Sequence, residues 1–563
     1  MKILSSIILA LAMVIPASAE TVVIYHTSDV HGGYAVHQAK RNGVQKDIGG
    51  FAALSALVQK EKNPYLLLDS GDTFQGTPEG NFSKGMATVE LMNQLGYSAM
   101  VPGNHDFDYG MDVLKNMAKH FNFPVLATNM YSKTTKKTPD FMYPYIIRIV
   151  GGHKIAILGI VGTHTATSTL PTNVKGYTFG NEAQEALKWV KIITKNEKPD
   201  AIVVLAHIGL GGPFGGKRVN VKITPELEKE MLKSGSTLAV ARAIKGYPAV
   251  VMGGHNHTAF NTSYKDEQSG ILLVESGSSL YNVSRVELEF DDKTGKLTNT
   301  SGKLVELWTE DLKDQSAESE YEKAATTFLE AWNKNTGSNA AIQPIIKKYK
   351  DSADAVMNQE ISYTNVDLNR NFRNPGIDNM AGDWFADAMR RQTKSDIGVQ
   401  NSGGVRTNIA AGKITYRDIY QIMPFDNTLV VTELTGRQVF DMVNDSIHLK
   451  GGNPTTTLQF SGLKAEWKIV NADGANKTEV IKVELCGKTC DSENPVFSPV
   501  DLSAKYRVAT NNYLVAGGNG GKIIVQGKVV ENNERVLRDY LIDDLKENPV
   551  KTAPIGPRLL QVK

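Results

Sequence analysis

Five apolar runs in this chain each end in Asp, Asn or His, side chains able to act as ligands, acids or bases. They read HTSDVHGGY (Asp29, His31), LLDSGDTFQG (Asp69, Asp72), VPGNHDFDYG (Asn104, His105, Asp106, Asp108), VVLAHIGLGG (His207) and VVMGGHNHT (His255, His257). A surface turn needs one or two such residues to cap or bend it. The chemistry that wants this mixture is a pair of divalent ions held by carboxylate, imidazole and amide oxygen. A carboxylate between two ions bridges them about 4 Å apart, so that both act on one oxyanion. Imidazole suits Zn, Fe, Co or Mn, and carboxylate and amide oxygen suit the harder end of that series. Any one motif alone is a weak signal; five in this order, each on a strand terminus, form a coherent one. Asp106 reads as incidental, a cap for its turn. His26, His37, His120, His153, His164 and His448 read as structural or surface histidines.

These residues need a scaffold that brings separate strand ends together. From Thr21 to about Val283, runs such as TVVIY, YLLLD, SAMVP, HKIAILGIVG, AIVVLAH and PAVVMGG suit strands buried on both faces. Between them FAALSALVQKEK, MATVELMNQLG and MDVLKNMAKHF space apolar residues at helical intervals. Strands alternating with helices argue for an α/β fold, and loops at the carboxyl ends of its strands are where ligands bind. Around residues 311 to 355 the text turns charged and helix-favouring, as in DLKDQSAESEYEKAATTFLEAWNK and IIKKYKDSADAV. This reads as a solvated helical connector and places the domain boundary there. The division is a catalytic domain over 20–330, a helical linker over 331–355 and a smaller α+β domain over 356–563.

With 563 residues the chain is too long for one core. Hydrophobic residues at 41% and charged residues at 22% are ordinary for a soluble globular protein. The net charge of +2, from 62 basic and 60 acidic residues, gives no bias toward a nucleic acid polymer or an anionic membrane. Residues 1–19 have the anatomy of a signal peptide: Lys2, an apolar stretch from Ile3 to Ile15, Pro16, then Ala17-Ser18-Ala19. Export to the periplasm is the expectation. The only cysteines, Cys486 and Cys490 in CGKTC, exclude a Cys-rich zinc site and read as a local disulfide.

In order, DVHGG, GDTFQG, GNHDFDYG, AHIG and GGHNHT resemble the blocks of the calcineurin-like metallophosphoesterases, in particular the 5′-nucleotidase family that includes periplasmic UDP-sugar hydrolases. The resemblance covers nearly the whole mature chain. It implies a four-layer αββα sandwich joined by a helical linker to a smaller α+β substrate-binding domain, with a hinge that gates entry and release. It implies that Asp29, His31, Asp72 and His257 hold a first divalent ion (Zn, Mn, Co or Fe). Asp72 would bridge to a second ion completed by Asn104, His207 and His255, with His105 and Asp108 as the catalytic pair. His257 departs from the Gln of close bacterial nucleotidases and makes the first site richer in imidazole.

VQNSGGVRTNI and DLNRNFRNPG supply Arg406, Arg370 and Arg373. The resemblance assigns these arginines to substrate phosphates, which a guanidinium fork suits. Phe425 in MPFDNTLVV and Tyr513 in ATNNYLVAGGNGG match the family's aromatic pair that sandwiches a nucleobase. Asn427 and Asn401 are assigned to the base, and Asn519 stands where relatives often carry Asp for the ribose hydroxyls. The function implied is a secreted, two-metal hydrolase of nucleoside 5′-monophosphates, extending to UDP-sugars and other nucleotides, working as a monomer or weak oligomer. The alternative is a 2′,3′-cyclic-nucleotide 2′-phosphodiesterase with 3′-nucleotidase activity. Further off stand a nucleotide-binding receptor without catalysis and a sulfur-compound hydrolase, which would not need the aromatic pair.

Overall fold

The computed structural model describes residues 21–41, 44–233, 235–308, 339–373, 376–472 and 475–562. The expected leader and the first part of the connector lie outside them. Two sheets build the first domain. One orders its strands Leu297–Glu306, Asn282–Phe290, Thr21–Thr27, Tyr65–Asp69 and Ala99–Met100. The last three run parallel, so their carboxyl ends share one edge. The other orders Tyr264–Lys265, Leu272–Glu275, Ala249–Gly253, Ala201–His207, His153–Val161 and Tyr145–Val150, with the four inner strands parallel.

The period-two alternation of a strand explains the layering. Ile155, Ile157, Val203, Leu205, Val250 and Met252 join the core shared with the first sheet. Their neighbours Ala156, Leu158, Val204, Ala206 and Val251 pack with Ala186, Val190 and Ile193 of helix Glu182–Glu197, and with Leu238 and Ala241 of helix Thr237–Ala243. Helices Phe51–Val58 and Met86–Leu95 contribute to the first core. The continuous apolar runs are thus strands buried on both faces, each large side chain worth roughly 1.5–3 kcal/mol of burial.

The second domain centres on a sheet ordered Leu458–Ser461, Ile397–Asn401, Lys505–Asn511, Thr428–Thr435 and Lys528–Val536. Helices Met380–Thr393 and Leu537–Glu547 share one apolar cluster, and helix Gly436–Ser446 belongs to a second. Cys486 and Cys490 are joined in a disulfide.

The connector's described part is the helix Asn339–Met357, and it is docked rather than solvated. Ile342 is buried in the first domain's core, and Glu90 accepts from Lys348 at 2.7 Å and Tyr349 at 2.6 Å. Ala353 and Met357 pack against Tyr420 of the second domain. Arg417 pairs with Asp354 of the helix and with Glu79 of the first domain. The charged face outnumbers the apolar stripe here, which is why composition alone suggests solvent.

Candidate active site

The strand tips do converge. His207 is the last residue of its strand, while Asp29, Asp72, Asn104, His255 and His257 lie two to four residues beyond theirs. Asp29, His31, Asp72, His255 and His257 all adopt left-handed backbone, with φ of 53°, 48°, 59°, 70° and 55°. Non-glycine residues there cost of order 1–3 kcal/mol each and persist only where surrounding structure holds them. At Gly103 a Cβ would collide with Asp72 Oδ1 and His207 Cε1, so only glycine lets these loops close.

Hydrogen bonds aim the imidazoles. His31 Nδ1 lies 2.7 Å from the Gln75 carbonyl and His207 Nδ1 lies 2.6 Å from the Ser70 carbonyl. A carbonyl only accepts, so each Nδ1 carries a proton and each Nε2 is left for the site. His31 Nε2 then faces His257 Nε2 at 3.1 Å and Asp72 Oδ2 at 3.8 Å. His207 Nε2 faces Asp72 Oδ2 at 3.1 Å and Asn104 Oδ1 at 3.3 Å. Asn104 Nδ2 donates to the Ser168 carbonyl at 3.2 Å, which turns Oδ1 toward His207 and toward His255 Nδ1 at 3.0 Å. His257 Nε2 lies 3.6 Å from Asp29 Oδ1.

So many acceptors at such separations need positive charge among them. Protons meet the need only in part. Burial opposes a charged His207, but Asp72 outweighs it and raises that imidazole to about 10. Burial likewise opposes the Asp72 carboxylate, yet His207 and His105 hold it well below the ordinary range. At the other end burial dominates: it lowers His31 to about 3 and drives His255 and His257 well down. Neutral imidazole, carboxylate and amide oxygen are the donors divalent ions take. The residues present fit such ions.

Asp106 is corrected from incidental to central. It is fully buried and accepts from the amides of Asp72 at 2.9 Å, Gly103 at 2.8 Å and Thr73 at 3.0 Å, and from the Thr73 hydroxyl at 2.8 Å. It ties the loops of Asp72 and Asn104 together. Asp69 is also structural, accepting from Thr27 Oγ1 and the Gly71 amide, each at 2.7 Å.

His105 Nδ1 lies 2.7 Å from Asp108 Oδ2, and the His105 amide donates to Asp72 Oδ1 at 2.7 Å. Burial opposes a charge on His105, but Asp108 and Asp72 together raise its pKa above the ordinary value. A cavity of about 400 Å³ opens beside this pair. Asn104, His105, Asp108 and His255 line one side; Asn401, Arg406, Phe425, Asn427, Tyr513 and Asn519 line the other. Phe425 lies 5.4 Å from the His105 ring and 5.8 Å from the Arg406 guanidinium. Tyr513 donates to the Thr167 carbonyl at 2.6 Å, and Asn519 Nδ2 to Ser168 Oγ at 3.4 Å.

Two arginines stand elsewhere. Arg370 donates to the Arg406 carbonyl at 3.0 Å and is not among the residues that line the cavity. The assignment of Arg373 to substrate phosphate is corrected: its guanidinium turns into the second domain, 3.1 Å from buried Asp383, and donates to the Pro554 carbonyl at 2.7 Å.

Two histidines do more than their sequence context implies. His448 lines the cavity with Lys450, from the hairpin of Ile447–Lys450 and Asn453–Thr456. His164 stacks on His255 with ring centres 3.7 Å apart, and a ring nitrogen of each of His164, His207 and His255 lies within 4.8 Å of the others. A signal for His164 exists, because the strand HKIAILGIVG runs on into Thr-His as a sixth tip. The other four histidines are structural or peripheral: His26 is held by Ser70 and Ser276, His37 packs on Tyr281, His153 stacks on Phe290 and His120 is exposed.

Comparison with known proteins agrees with this geometry. Residues 22–259 match the calcineurin-like phosphoesterase family, and residues 358–526 match the 5′-nucleotidase C-terminal domain. A 5′-nucleotidase of Vibrio cholerae is 28% identical over 550 residues, spanning 95% of this chain and 92% of that protein. Protein UshA of Escherichia coli is 25% identical over 531 residues, spanning 89% and 86%. The crystal structure of a 5′-nucleotidase precursor from Thermus thermophilus superposes with a TM-score of 0.76 at 25% identity, over 96% of this chain and 99% of that one. Fold and site define a metal-dependent phosphoric monoester hydrolase acting on nucleotides. The chain belongs to the calcineurin-like phosphoesterases that carry a 5′-nucleotidase C-terminal domain.

Proposed function

We propose that this chain is an exported two-metal 5′-nucleotidase, releasing phosphate from nucleoside 5′-monophosphates and accepting UDP-sugars and other nucleotides as further substrates. One observation carries the reading: the His105–Asp108 pair, Arg406, Phe425 and Tyr513 line one cavity that adjoins the Asp, Asn and His cluster. Asp29, His31, Asp72 and His257 would hold one ion; Asp72, Asn104, His207 and His255 would hold the other. When bound, the ions supply a water acidic enough to attack at neutral pH and positive charge beside the phosphoryl oxygens.

The chain's own groups do the rest. Asp108 holds His105 by Nδ1, which leaves Nε2 to donate a proton to a phosphoryl or leaving-group oxygen. The raised pKa of His105 keeps that proton available. Arg406 presents a fork to the phosphate. Phe425 and Tyr513 stack on the base, worth about 1–3 kcal/mol per base with little base selectivity. The leader and the Cys486–Cys490 disulfide support export to an oxidising compartment.

The test is a substrate panel of AMP, 3′-AMP, cyclic 2′,3′-AMP and UDP-glucose, after chelation and re-addition of Mn, Co or Zn. Phosphate release from AMP is expected. Turnover of the cyclic diester without AMP selects the cyclic-nucleotide phosphodiesterase. Binding without turnover, under every metal, selects the receptor.

A further inference from the structure

His164 enters the site on the turn after strand His153–Val161, whose last residue is in register with His207 on the adjacent strand. Its ring stacks on His255 with an interplanar angle of 27°, and it also approaches His207, with ring centres 6.1 Å apart. Its Nε2 is buried and has no hydrogen-bond partner among the described residues. A buried polar atom left without a partner is destabilising, so it calls for an occupant. The turn is held fast: Asn104 donates to the Ser168 carbonyl and Tyr513 to the Thr167 carbonyl. A Cβ at Gly162 would collide with the His164 ring, so the chain gives up a side chain to let this imidazole lie inward.

We propose that His164 is a further ligand of the ion assigned to Asp72, Asn104, His207 and His255. That site then has three imidazoles, a donor set that favours Zn or Co over Mn. The inference rests on the two-metal reading above. The competing role for His164 is a buttress that positions His255 by stacking alone. Phe would preserve a stacked ring but offer no nitrogen, whereas Ala removes both, so the two substitutions separate the roles.

The experiment titrates Co(II) and Zn(II) into metal-stripped full-length protein against a competing chelator, recording Co(II) ligand-field absorption and ions bound per chain. His164→Ala and His164→Phe are compared with the wild type, and circular dichroism checks that each stripped variant is folded. The expected result is that both variants lose at least about 100-fold in affinity for one ion, beyond the about 10–100-fold that an outer-shell partner is worth, keep the other ion, and change the Co(II) spectrum. A His164→Phe protein that binds both ions with wild-type affinity and spectrum overturns the proposal, even if His164→Ala is unfolded. Wild-type protein that binds fewer than two ions overturns the two-metal reading instead.

Discussion

Asp108 grips His105 with one carboxylate oxygen and takes the Thr169 hydroxyl with the other, at 2.7 and 2.8 Å. The carboxylate therefore fixes both the rotation of the imidazole and the nitrogen that carries its outward proton. Asp108→Asn should lower kcat about 10²–10⁴-fold while bound metal, measured by elemental analysis, stays at the wild-type level. Loss of metal would place Asp108 among the ligands instead.

Asp106 is the hidden support. Asp106→Ala strips a buried acceptor from three amides and a hydroxyl, and each donor left buried costs about 1–3 kcal/mol. With four donors affected, a loss of at least about 4 kcal/mol in urea unfolding is expected, together with weaker metal retention. A variant as stable as wild type would show that the two loops are held by other contacts.

Acid sensitivity has an identifiable source beside Ser70, whose carbonyl anchors His207. His26 is buried between Ser70 and Ser276, and burial lowers its pKa to about 3. Since an unfolded His titrates at about 6.5, the unfolded chain binds the extra proton between those values, and stability falls as pH drops through that window. The contribution is intact above about pH 6.5 and is reduced by about 2 kcal/mol at pH 5. Replacing the residue in His26→Gln should flatten the pH dependence of unfolding free energy by about one proton over pH 5–6.5; an unchanged slope would contradict the assignment.

In the proposed reading Phe425 and Tyr513 act on the base and not on the phosphate. Phe425→Ala and Tyr513→Ala should each raise KM for AMP about 5–100-fold and leave hydrolysis of p-nitrophenyl phosphate, which has no nucleobase, near the wild-type rate. Equal losses on both substrates would make these rings part of the scaffold.

The converging Asp, Asn and His residues were legible because an apolar run that ends in Gly with Asp or His is a local pattern. The second domain's side was less so. Arg406 and Arg373 look alike in sequence, yet Arg373 is claimed by Asp383 and by the Pro554 carbonyl, 181 residues away, a pairing that only the fold creates. Asp106 and Asp108 are likewise indistinguishable by type. The short helix His105–Phe107 turns Asp106 toward the amides of Gly103 and Asp72 and leaves Asp108, just past its end, beside His105. Left-handed backbone at five of the candidate ligands has no sequence signal, because Asp and His are also common in ordinary turns.

The central claim is that buried Asp72 lies between two cations. The most direct measurement strips the purified protein with chelator, then counts ions bound per chain against phosphate released from AMP as Mn, Co or Zn is returned. Two ions per chain and release that recovers only as they bind are the predicted result. Full phosphate release from the stripped protein, or recovery complete with a single ion, would contradict it.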